Sequence, residues 1–393
     1  MTKHTDMNSN YNIAIVGGCL SSHGGGAPRS MASQANALAA QGIRTTFFAG
    51  YSERYPLTPE QLHISSEVVA SPLWGPSVLG LMPRALHQLA KRASEFDYIH
   101  LNGAWNLTSY IAARIAVRHG VPYIISGRSH YGAYHYSRVR LIKPLLYRLI
   151  EAYKIRHAAA IHVTSEWEAA TSKPLIGDAP VICIPNSIDM TDFVDRITRE
   201  DARKRLNIST KSPLFVHLGR LGTQKNPEFL LDAFLEADCP DDTQLVFIGP
   251  SEGDTQKRLE AILANSSRKR NVRFISFAAG KERKLWLSAA DLFVLPSWDE
   301  NFCVAAIEAV ACGTHCLISP HVGAIEFLPP SCVTVSSLDQ QQWSELLTQH
   351  ARMPKPQAFP PSSTFATFSL EHIGKLWENA YMALKGSKKG QPS

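Results

Sequence analysis

Two glutamates eight positions apart, Glu300 and Glu308, flank an almost wholly apolar run in the stretch ENFCVAAIEAVACG. The run predicts a helix packed against a sheet, and such a helix rarely carries a carboxylate in its buried middle. The preceding strand, DLFVLPS (291–297), places Glu300 in the loop before the helix and Glu308 about two turns inside it. Free N–H groups at a helix start suit a phosphate, and the flanking carboxylates could accept hydrogen bonds from sugar hydroxyls. An acidic cap followed by a surface glutamate would show the same spacing.

Two cations five positions apart, Arg220 and Lys225, lie in the segment GRLGTQKNP. This segment follows the strand PLFVHLG (213–219) and precedes a helix that we predict from Pro227 to Ala237. An arginine fork and a lysine point charge in such a loop can hold adjacent phosphates. A solvated charged loop is the alternative interpretation.

Three consecutive glycines, Gly24 to Gly26, follow the first predicted strand and precede a helix that runs from Pro28 to Gln41. Glycines let a backbone approach a ligand closely. A flexible linker would have the same composition, so the glycines alone are a weak signal.

Short apolar strands alternate with helical patterns along most of the chain, in two series separated near residues 187–212. Near-continuous apolar strands in such an order predict parallel sheets covered on both faces, and therefore an α/β protein with two Rossmann-like domains. A ligand is expected in the cleft between such domains, at the carboxyl ends of the strands. The predicted strands are 11–18, 44–50, 98–101, 122–126, 159–165 and 180–186, then 213–219, 244–249, 272–277 and 291–297.

The order and spacing of these segments resemble the GT-B glycosyltransferases of the large retaining family 4. The resemblance is densest in GRLGTQKNPEFLLDAF and in ADLFVLPSWDENFCVAAIEAVACG, which is similar to the family's E-x7-E signature. HVTSEWEA, IPNSID and GGGAPRSMASQANALAAQG resemble further family segments. The resemblance implies the GT-B fold, with an acceptor-side domain (1–190) and a nucleotide-sugar domain (191–365). It also implies that the C-terminal helical segment (366–393) crosses back onto the first domain.

The resemblance also implies roles for residues of the second domain. Arg220 and Lys225 would bind the donor diphosphate, Glu308 the ribose hydroxyls, and Glu300 the hydroxyls of the transferred sugar. The amides of Phe302, Cys303 and Val304 would face the phosphates.

In the first domain, Gly25 and Gly26 would lie on the donor side. His130, which follows the strand PYIIS, is the nearest candidate for the family's catalytic histidine, although a loop histidine of no function fits equally well. His100 and Trp105, at another strand end, are candidates for the acceptor side.

The chain departs from the family pattern at three places. Cys303 stands where members usually have glycine, which adds bulk beside the phosphates. Asn226 replaces a commoner glycine after the lysine, and His315-Cys316 replaces a frequent Pro-Val pair.

By this resemblance the protein would move a sugar from a UDP- or GDP-sugar to a hydroxyl of a lipid-linked or glycan acceptor, with retention of the anomeric configuration. We expect a role in envelope, exopolysaccharide or lipopolysaccharide synthesis, no cofactor, no nucleic-acid partner and no metal, since the cations would neutralise the diphosphate. The closest alternative is a sugar-nucleotide epimerase or hydrolase on the same fold, and a catalytically inactive lectin-like module is another. A nicotinamide-dependent oxidoreductase would need the glycine pattern G-x-G-x-x-G and an acidic residue at the end of the second strand. The segment TTFFAG ends without an acidic residue, which argues against this class.

The bulk properties are those of an ordinary globular protein, with 45% apolar residues, 19% charged residues and a net charge of +6. No apolar stretch reaches the roughly 18 residues of a membrane span, and the N-terminus lacks the pattern of a signal peptide. The seven scattered cysteines indicate reduced thiols and a cytoplasmic location. Cys312, His315 and Cys316 lack a second ligand pair at the spacing that zinc sites need.

A basic amphipathic helix is predicted over residues 138–156. Seven lysines and arginines but a single acid, Glu151, occur between Arg128 and Arg156, and apolar residues recur at helical spacing from Ile142 to Tyr153. Such a helix can lie on the inner face of an anionic membrane, so we expect a peripheral association. The alternative is a surface helix that packs its apolar stripe on its own domain.

Overall fold

The computed structural model describes residues 11–21, 26–53, 55–59, 64, 66–75, 80–132, 134, 143–189, 193, 195–278 and 280–387. The chain divides into two compact units, an N-terminal unit of Met1–Asp189 with Ala366–Ser393 and a C-terminal unit of Met190–Phe365. Two segments that the sequence analysis uses lie outside the described residues. They are residues 22–25, with Gly24 and Gly25, and residues 135–142, with Arg138, Arg140 and Ile142.

The N-terminal unit is built on a parallel seven-stranded sheet, in the order β3-β2-β1-β4-β5-β6-β7. Its strands are β1 (Asn12–Cys19), β2 (Arg44–Tyr51), β3 (Glu67–Pro72), β4 (Tyr98–Asn102), β5 (Tyr123–Ser126), β6 (Ala160–Val163) and β7 (Val181–Cys183). The helices α1, α2, α3 and α5 span Gly26–Ala39, Pro83–Arg92, Leu107–Arg118 and Glu166–Ile176. Helix α4 consists of Lys143–Leu146 and Ala152–His157, joined by a π-helical turn over Tyr147–Glu151.

The C-terminal unit contains a parallel six-stranded sheet, in the order β10-β9-β8-β11-β12-β13. Its strands are β8 (Leu214–Leu218), β9 (Gln244–Ile248), β10 (Val272–Ile275), β11 (Leu292–Leu295), β12 (His315–Ile318) and β13 (Val333–Val335). Its helices are α6 (Arg199–Arg205), α7 (Pro227–Glu236), α8 (Thr255–Leu263), α9 (Gly280–Ala289), α10 (Val304–Ala311) and α11 (Gln340–Arg352). The C-terminal unit also contains short 3-10 helices at Thr223–Lys225, Ser267–Asn271, Gly323–Phe327 and Pro330–Cys332. The N-terminal unit has one at Ala93–Glu95.

The predicted fold class, α/β with two Rossmann-like domains and parallel sheets, is confirmed by these two sheets. Three strands were not predicted, and each lies at or near a sheet edge: β3, β12 and β13. Strand β3 begins at Glu67 and ends at Pro72, and β12 and β13 have four and three residues. Length alone does not explain the three missed strands, since the predicted strands β5, β6, β10 and β11 also have four residues.

The final helix, α12 (Leu370–Ser387), packs on the N-terminal sheet beside α1. Ile373, Trp377 and Tyr381 are buried there, and the Tyr381 carbonyl accepts a hydrogen bond of 2.9 Å from the Tyr98 hydroxyl. A Cβ atom on Gly374 would lie 2.1 Å from the carbonyl oxygen of Ala37, so only glycine permits this close approach of the two helices.

The other face of the N-terminal sheet is covered by α2 to α5, whose apolar residues form one core with strands β1, β4 and β5. None of the described helices is both long and apolar enough to cross a lipid bilayer.

Candidate active site

The start of helix α10 is shaped by Glu300 and Cys303. The backbone of Glu300 is fixed in a bridge, since its N–H donates to the His321 carbonyl and its own carbonyl accepts from Gly323, each at 2.8 Å. The helix begins at Val304, so Glu308 lies just past its first turn rather than the expected two turns inside. The loop and the first turn therefore hold both glutamates near the free N–H groups of the helix start.

Cys303, the residue before the helix, adopts a left-handed backbone with φ of 70°. Glycine adopts this conformation without strain, whereas a cysteine here is strained. The thiol is buried, and burial raises the pKa of Cys303 to about 12. Cys303 therefore presents a neutral thiol, not a thiolate, beside the helix start.

Lys225 and Glu300 form an ion pair between the lysine Nζ and the carboxylate Oε1. The pair exists because β8 and β11 are neighbours in the sheet and the loops after them are tied together. The Trp298 N–H donates to the Gln224 carbonyl (2.9 Å), and the Gln224 side chain donates to the Asp299 carbonyl (2.6 Å). Burial alone would lower the pKa of Lys225, but the Glu300 carboxylate outweighs it and the pKa is raised.

Arg220 lies at the start of the same loop as Lys225 and is exposed. Gly219, which precedes it, leaves room for the lysine stem, because a Cβ there would lie 3.2 Å from Lys225 Cε. The structure thus brings Lys225 to Glu300 and leaves Arg220 at the surface of the same unit.

Glu308 has a protein partner that sequence analysis missed. Arg283 of helix α9 contacts its Oε1 at 2.7 Å, with side-chain exposures of 18% for the arginine and 5% for the glutamate. Arg283 lies within the charged run Lys281–Lys284, and nothing in that run distinguishes it from a solvated surface. The ribose hydroxyls that we expect Glu308 to bind are therefore not needed to explain its burial, since Arg283 already compensates its charge.

His130 lies in the loop after β5, where Arg128 and Ser129 have left-handed backbones with φ of 53° and 66°. Its Nδ1 is 2.9 Å from the Gly127 carbonyl, which can only accept, so Nδ1 carries the proton. In the neutral ring Nε2 is then the acceptor nitrogen. The carboxylate of Glu168 accepts from the Ser129 N–H (2.9 Å) and so fixes the loop on one side.

His100 does not line an acceptor site, contrary to our expectation, because α1 and α12 cover it. It is fully buried, with Nδ1 2.9 Å from the Gln34 side chain and Nε2 2.8 Å from the Tyr381 hydroxyl. Burial lowers the pKa of His100 to about 3, so it is a neutral core histidine. Trp105 is only partly buried, and its indole N–H donates to the His130 carbonyl at 2.9 Å.

Gly26 is the first residue of α1 and is exposed, and a Cβ there would meet nothing within 4 Å. Among the described residues, no group of three or more His, Cys, Asp or Glu side chains is arranged to hold a metal ion. Cys312 and Cys316 are free, buried thiols, and the Nε2 of His315 bonds to Thr334 at 2.9 Å.

Two known sequence families match adjacent parts of the chain. The family described as "Glycosyl transferase 4-like domain" matches residues 25–187, and "Glycosyl transferases group 1" matches residues 198–352. The two matches fall on the two sheets in turn.

Individual relatives match with lower coverage. The UDP-Gal:alpha-D-GlcNAc-diphosphoundecaprenol alpha-1,3-galactosyltransferase of Escherichia coli is 25% identical over 60% of this chain and 60% of its own length. A D-inositol 3-phosphate glycosyltransferase of Xylanimonas cellulosilytica is 30% identical over 42% of this chain. The chain thus matches 60% of the length of the first of these relatives and 41% of the second.

A solved structure covers nearly all of the chain. Anabaena HepE, in complex with UDP and glucose, superposes with a TM-score of 0.74 at 18% identity, over 95% of this chain and 100% of HepE. At this identity the likeness establishes the fold. The two family matches and this superposition show that the chain belongs to the GT-B glycosyltransferases.

Proposed function

We propose that the protein transfers a sugar from a nucleoside-diphosphate donor to an acceptor hydroxyl, with retention of the anomeric configuration. The observation that carries the proposal is the Lys225–Glu300 ion pair beside the start of α10. It puts a cation for the diphosphate, a carboxylate for sugar hydroxyls and the free N–H groups of a helix start in one place. The second carboxylate, Glu308, lies just past the first turn of that helix.

The chemistry follows from charge. The diphosphate gains negative charge as it leaves, so Arg220, Lys225 and the helix N-terminus would stabilise the transition state by preorganised electrostatics. Since these groups neutralise the leaving diphosphate, we propose that the transfer needs no metal ion. His130, with Nε2 as its acceptor nitrogen, is the candidate catalytic histidine, and we propose that it acts near the donor sugar.

The donor proposed is a UDP- or GDP-sugar. HepE has been solved with UDP and glucose, and the Escherichia coli relative is named for UDP-galactose. We therefore propose a UDP-sugar as the donor ahead of a GDP-sugar. The name of that relative also specifies a diphosphoundecaprenol-linked acceptor. We therefore propose a lipid-linked or glycan acceptor, in the synthesis of an envelope or extracellular polysaccharide at the inner face of the membrane.

The first prediction tests the donor. UDP, GDP, UDP-glucose, UDP-galactose and GDP-mannose are screened by thermal unfolding, and a donor at 100 times its Kd should stabilise the protein by about 2.7 kcal/mol. The stabilising sugar nucleotide should then release its nucleoside diphosphate in the presence of a lipid-diphosphate acceptor, with EDTA leaving the rate within about twofold.

Two results would contradict this proposal. Conversion of the sugar nucleotide into another sugar nucleotide without acceptor would indicate an epimerase. Loss of all turnover in EDTA, restored by Mg²⁺ or Mn²⁺, would contradict the metal-independent mechanism.

The proposed membrane association is supported by the outward face of α4. Leu145 and Leu149 are 58% and 59% exposed, and the exposed Arg148 lies between them. These two leucines of the apolar stripe therefore do not pack on their own unit, whereas Tyr153 of the same stripe does, with its ring edge to face with that of Tyr110 at 5.6 Å. The buried side of the helix consists of Ile150, Glu151, Lys154 and Ile155 instead.

The second prediction is that this segment binds anionic vesicles, since each basic residue near such a surface contributes roughly 1 kcal/mol. The protein should co-sediment with phosphatidylglycerol vesicles at low salt, less at high salt, and little with phosphatidylcholine vesicles. A variant that replaces four basic residues with glutamine should lose this binding: Arg138, Arg140, Lys143 and Arg148.

The matched control removes the same charge from the C-terminal unit. It carries glutamine at four exposed basic residues there: Lys204, Lys211, Lys269 and Arg270. If the wild type and both variants pellet equally little with anionic vesicles, the membrane association is wrong and a water-soluble acceptor replaces the lipid-linked one. If all three pellet equally well, the binding surface is not this segment.

A further inference from the structure

Helix α4 carries a buried ion pair on its inner side. The side chains of Glu151 and Lys154 are both 0% exposed, and Lys154 Nζ lies 3.0 and 3.1 Å from the two carboxylate oxygens. Taking two charges out of water is costly, and well-packed apolar residues are often as stable or more stable in such a place. The pair therefore calls for a reason other than the stability of the core.

The Glu151 carboxylate also holds two loops. Its Oε1 accepts from the Trp105 N–H at 2.6 Å, and its Oε2 accepts from the Tyr131 hydroxyl at 2.7 Å. Trp105 follows β4 and Tyr131 follows β5, so one carboxylate bridges the loops at the carboxyl ends of two adjacent strands. A neutral amide could not accept both bonds while also facing the Lys154 cation.

Both loops converge on His130. The Trp105 indole donates to the His130 carbonyl, and the rings of Trp105 and Tyr131 meet edge to face at 6.2 Å. The Tyr131 ring lies against Gly127, where a Cβ would be 2.5 Å from it. Glu151 thus holds Tyr131, the residue after His130, and, through Trp105, the backbone of His130 itself.

The local backbone shows why such a hold is needed. Trp105, with φ of 62°, and the two residues before His130 occupy the left-handed region, which bulky side chains rarely adopt. Strained residues of this kind persist only where the surroundings over-determine them, and they cluster at functional sites. Glu151 itself ends a π-helical turn, another feature frequent at such sites.

We propose that Glu151 is a positioning residue, whose carboxylate fixes the Trp105 and Tyr131 loops and through them places His130 for turnover, with Lys154 as its buried counter-ion. The link to turnover rests on the glycosyl transfer proposed above. The hold on the loop rests on the contacts of Glu151 alone.

The third prediction uses Glu151→Gln, with Tyr131→Phe as a milder variant that removes a single hydroxyl and keeps the ring over Gly127. Hydrogen–deuterium exchange of the amides in 127–132 should accelerate about tenfold in Glu151→Gln, because their restraint is lost. For release of UDP from UDP-glucose, or of GDP from GDP-mannose, kcat should fall about tenfold. The KM for the sugar nucleotide should change less than about twofold, since the residues proposed to bind the diphosphate and the ribose lie in the C-terminal unit.

The control is Tyr123→Phe. It removes the hydroxyl that donates to the Lys154 carbonyl at 2.6 Å, in the same buried neighbourhood, and leaves every contact of the Glu151 carboxylate in place. It should lower Tm, but hydrogen–deuterium exchange in residues 127–132 and kcat should both equal those of the wild type. A merely structural role for Glu151 would make the three variants alike.

The outcomes separate the two proposals. If the wild type releases no nucleoside diphosphate from any sugar nucleotide, the proposed function fails, and the exchange comparison still tests the hold on the loop. Unchanged exchange in both Glu151→Gln and Tyr131→Phe overturns the inference. Faster exchange with a kcat no lower than that of Tyr123→Phe overturns it as well, because the loop would then be held for stability only.

Discussion

Arg220→Ala should lower kcat/KM by about two orders of magnitude, because a charged contact to the transition state commonly contributes about 3 kcal/mol. Arg220 is exposed, so its removal leaves no buried charge behind and Tm should stay within about 1 °C of the wild type. Initial rates of nucleoside-diphosphate release and thermal unfolding together measure the two effects. The loss should appear mainly in kcat, since the diphosphate is most negative as it leaves.

Lys225→Ala should be at least as damaging to activity, and it should also destabilise the protein. The Glu300 carboxylate is 9% exposed and would lose its ion-pair partner, and breaking a largely buried pair costs a few kcal/mol. The two substitutions therefore share an effect on turnover and differ in their effect on Tm.

A suitable control is Arg258→Ala, which removes an exposed arginine of the same unit whose partner is Glu228. Surface ion pairs of this kind contribute about 0–1 kcal/mol, so both activity and Tm should be nearly unchanged. Full activity in Arg220→Ala and Lys225→Ala alike would remove the basis for assigning the diphosphate to this loop.

The sequence predicted the fold class and most central strands, because each of those strands is a near-continuous apolar run between turn residues. It also placed Arg220, Lys225 and Glu300 at strand ends. It could not predict that Lys225 meets Glu300, because that contact depends on β8 and β11 being neighbours in the sheet. Strand order is decided by tertiary packing and leaves no mark in either segment.

The residues that sequence analysis missed share a different cause. Arg283 and Glu151 occur within charged or basic runs, where a solvated face is the ordinary expectation, and only the packing of α9 and α4 turns them inward. His100 failed in the opposite sense. We predicted that His100 lines the acceptor side, but its side chain is buried against α12, a helix from the C-terminal end of the chain. Pattern analysis handles periodicity within an element, and these three side chains are decided by contacts between elements.

Glu308 and Arg283 allow a cycle of variants in which stability and ligand binding should separate. Arg283→Leu removes the arginine that pairs with the buried Glu308 carboxylate and should cost about 3 kcal/mol in the free energy of unfolding. Glu308→Gln should cost about 1 kcal/mol, because the arginine left behind is the more exposed partner. The double variant Glu308→Gln/Arg283→Leu should recover most of the stability lost in Arg283→Leu, because no buried charge remains.

Affinity for UDP should not recover in the same way. If Glu308 accepts the ribose hydroxyls, Glu308→Gln should weaken UDP binding about tenfold or more, since hydrogen bonds to a charged acceptor contribute about 1.5–3 kcal/mol. The double variant should be as weak as Glu308→Gln, while Glu228→Gln, at an exposed pair of the same unit, should match the wild type. Calorimetric titration with UDP measures the affinities, and urea unfolding gives the stabilities. A double variant that regains both stability and UDP affinity would mean that Glu308 serves only to neutralise Arg283, and the ribose would have to be bound elsewhere in the C-terminal unit.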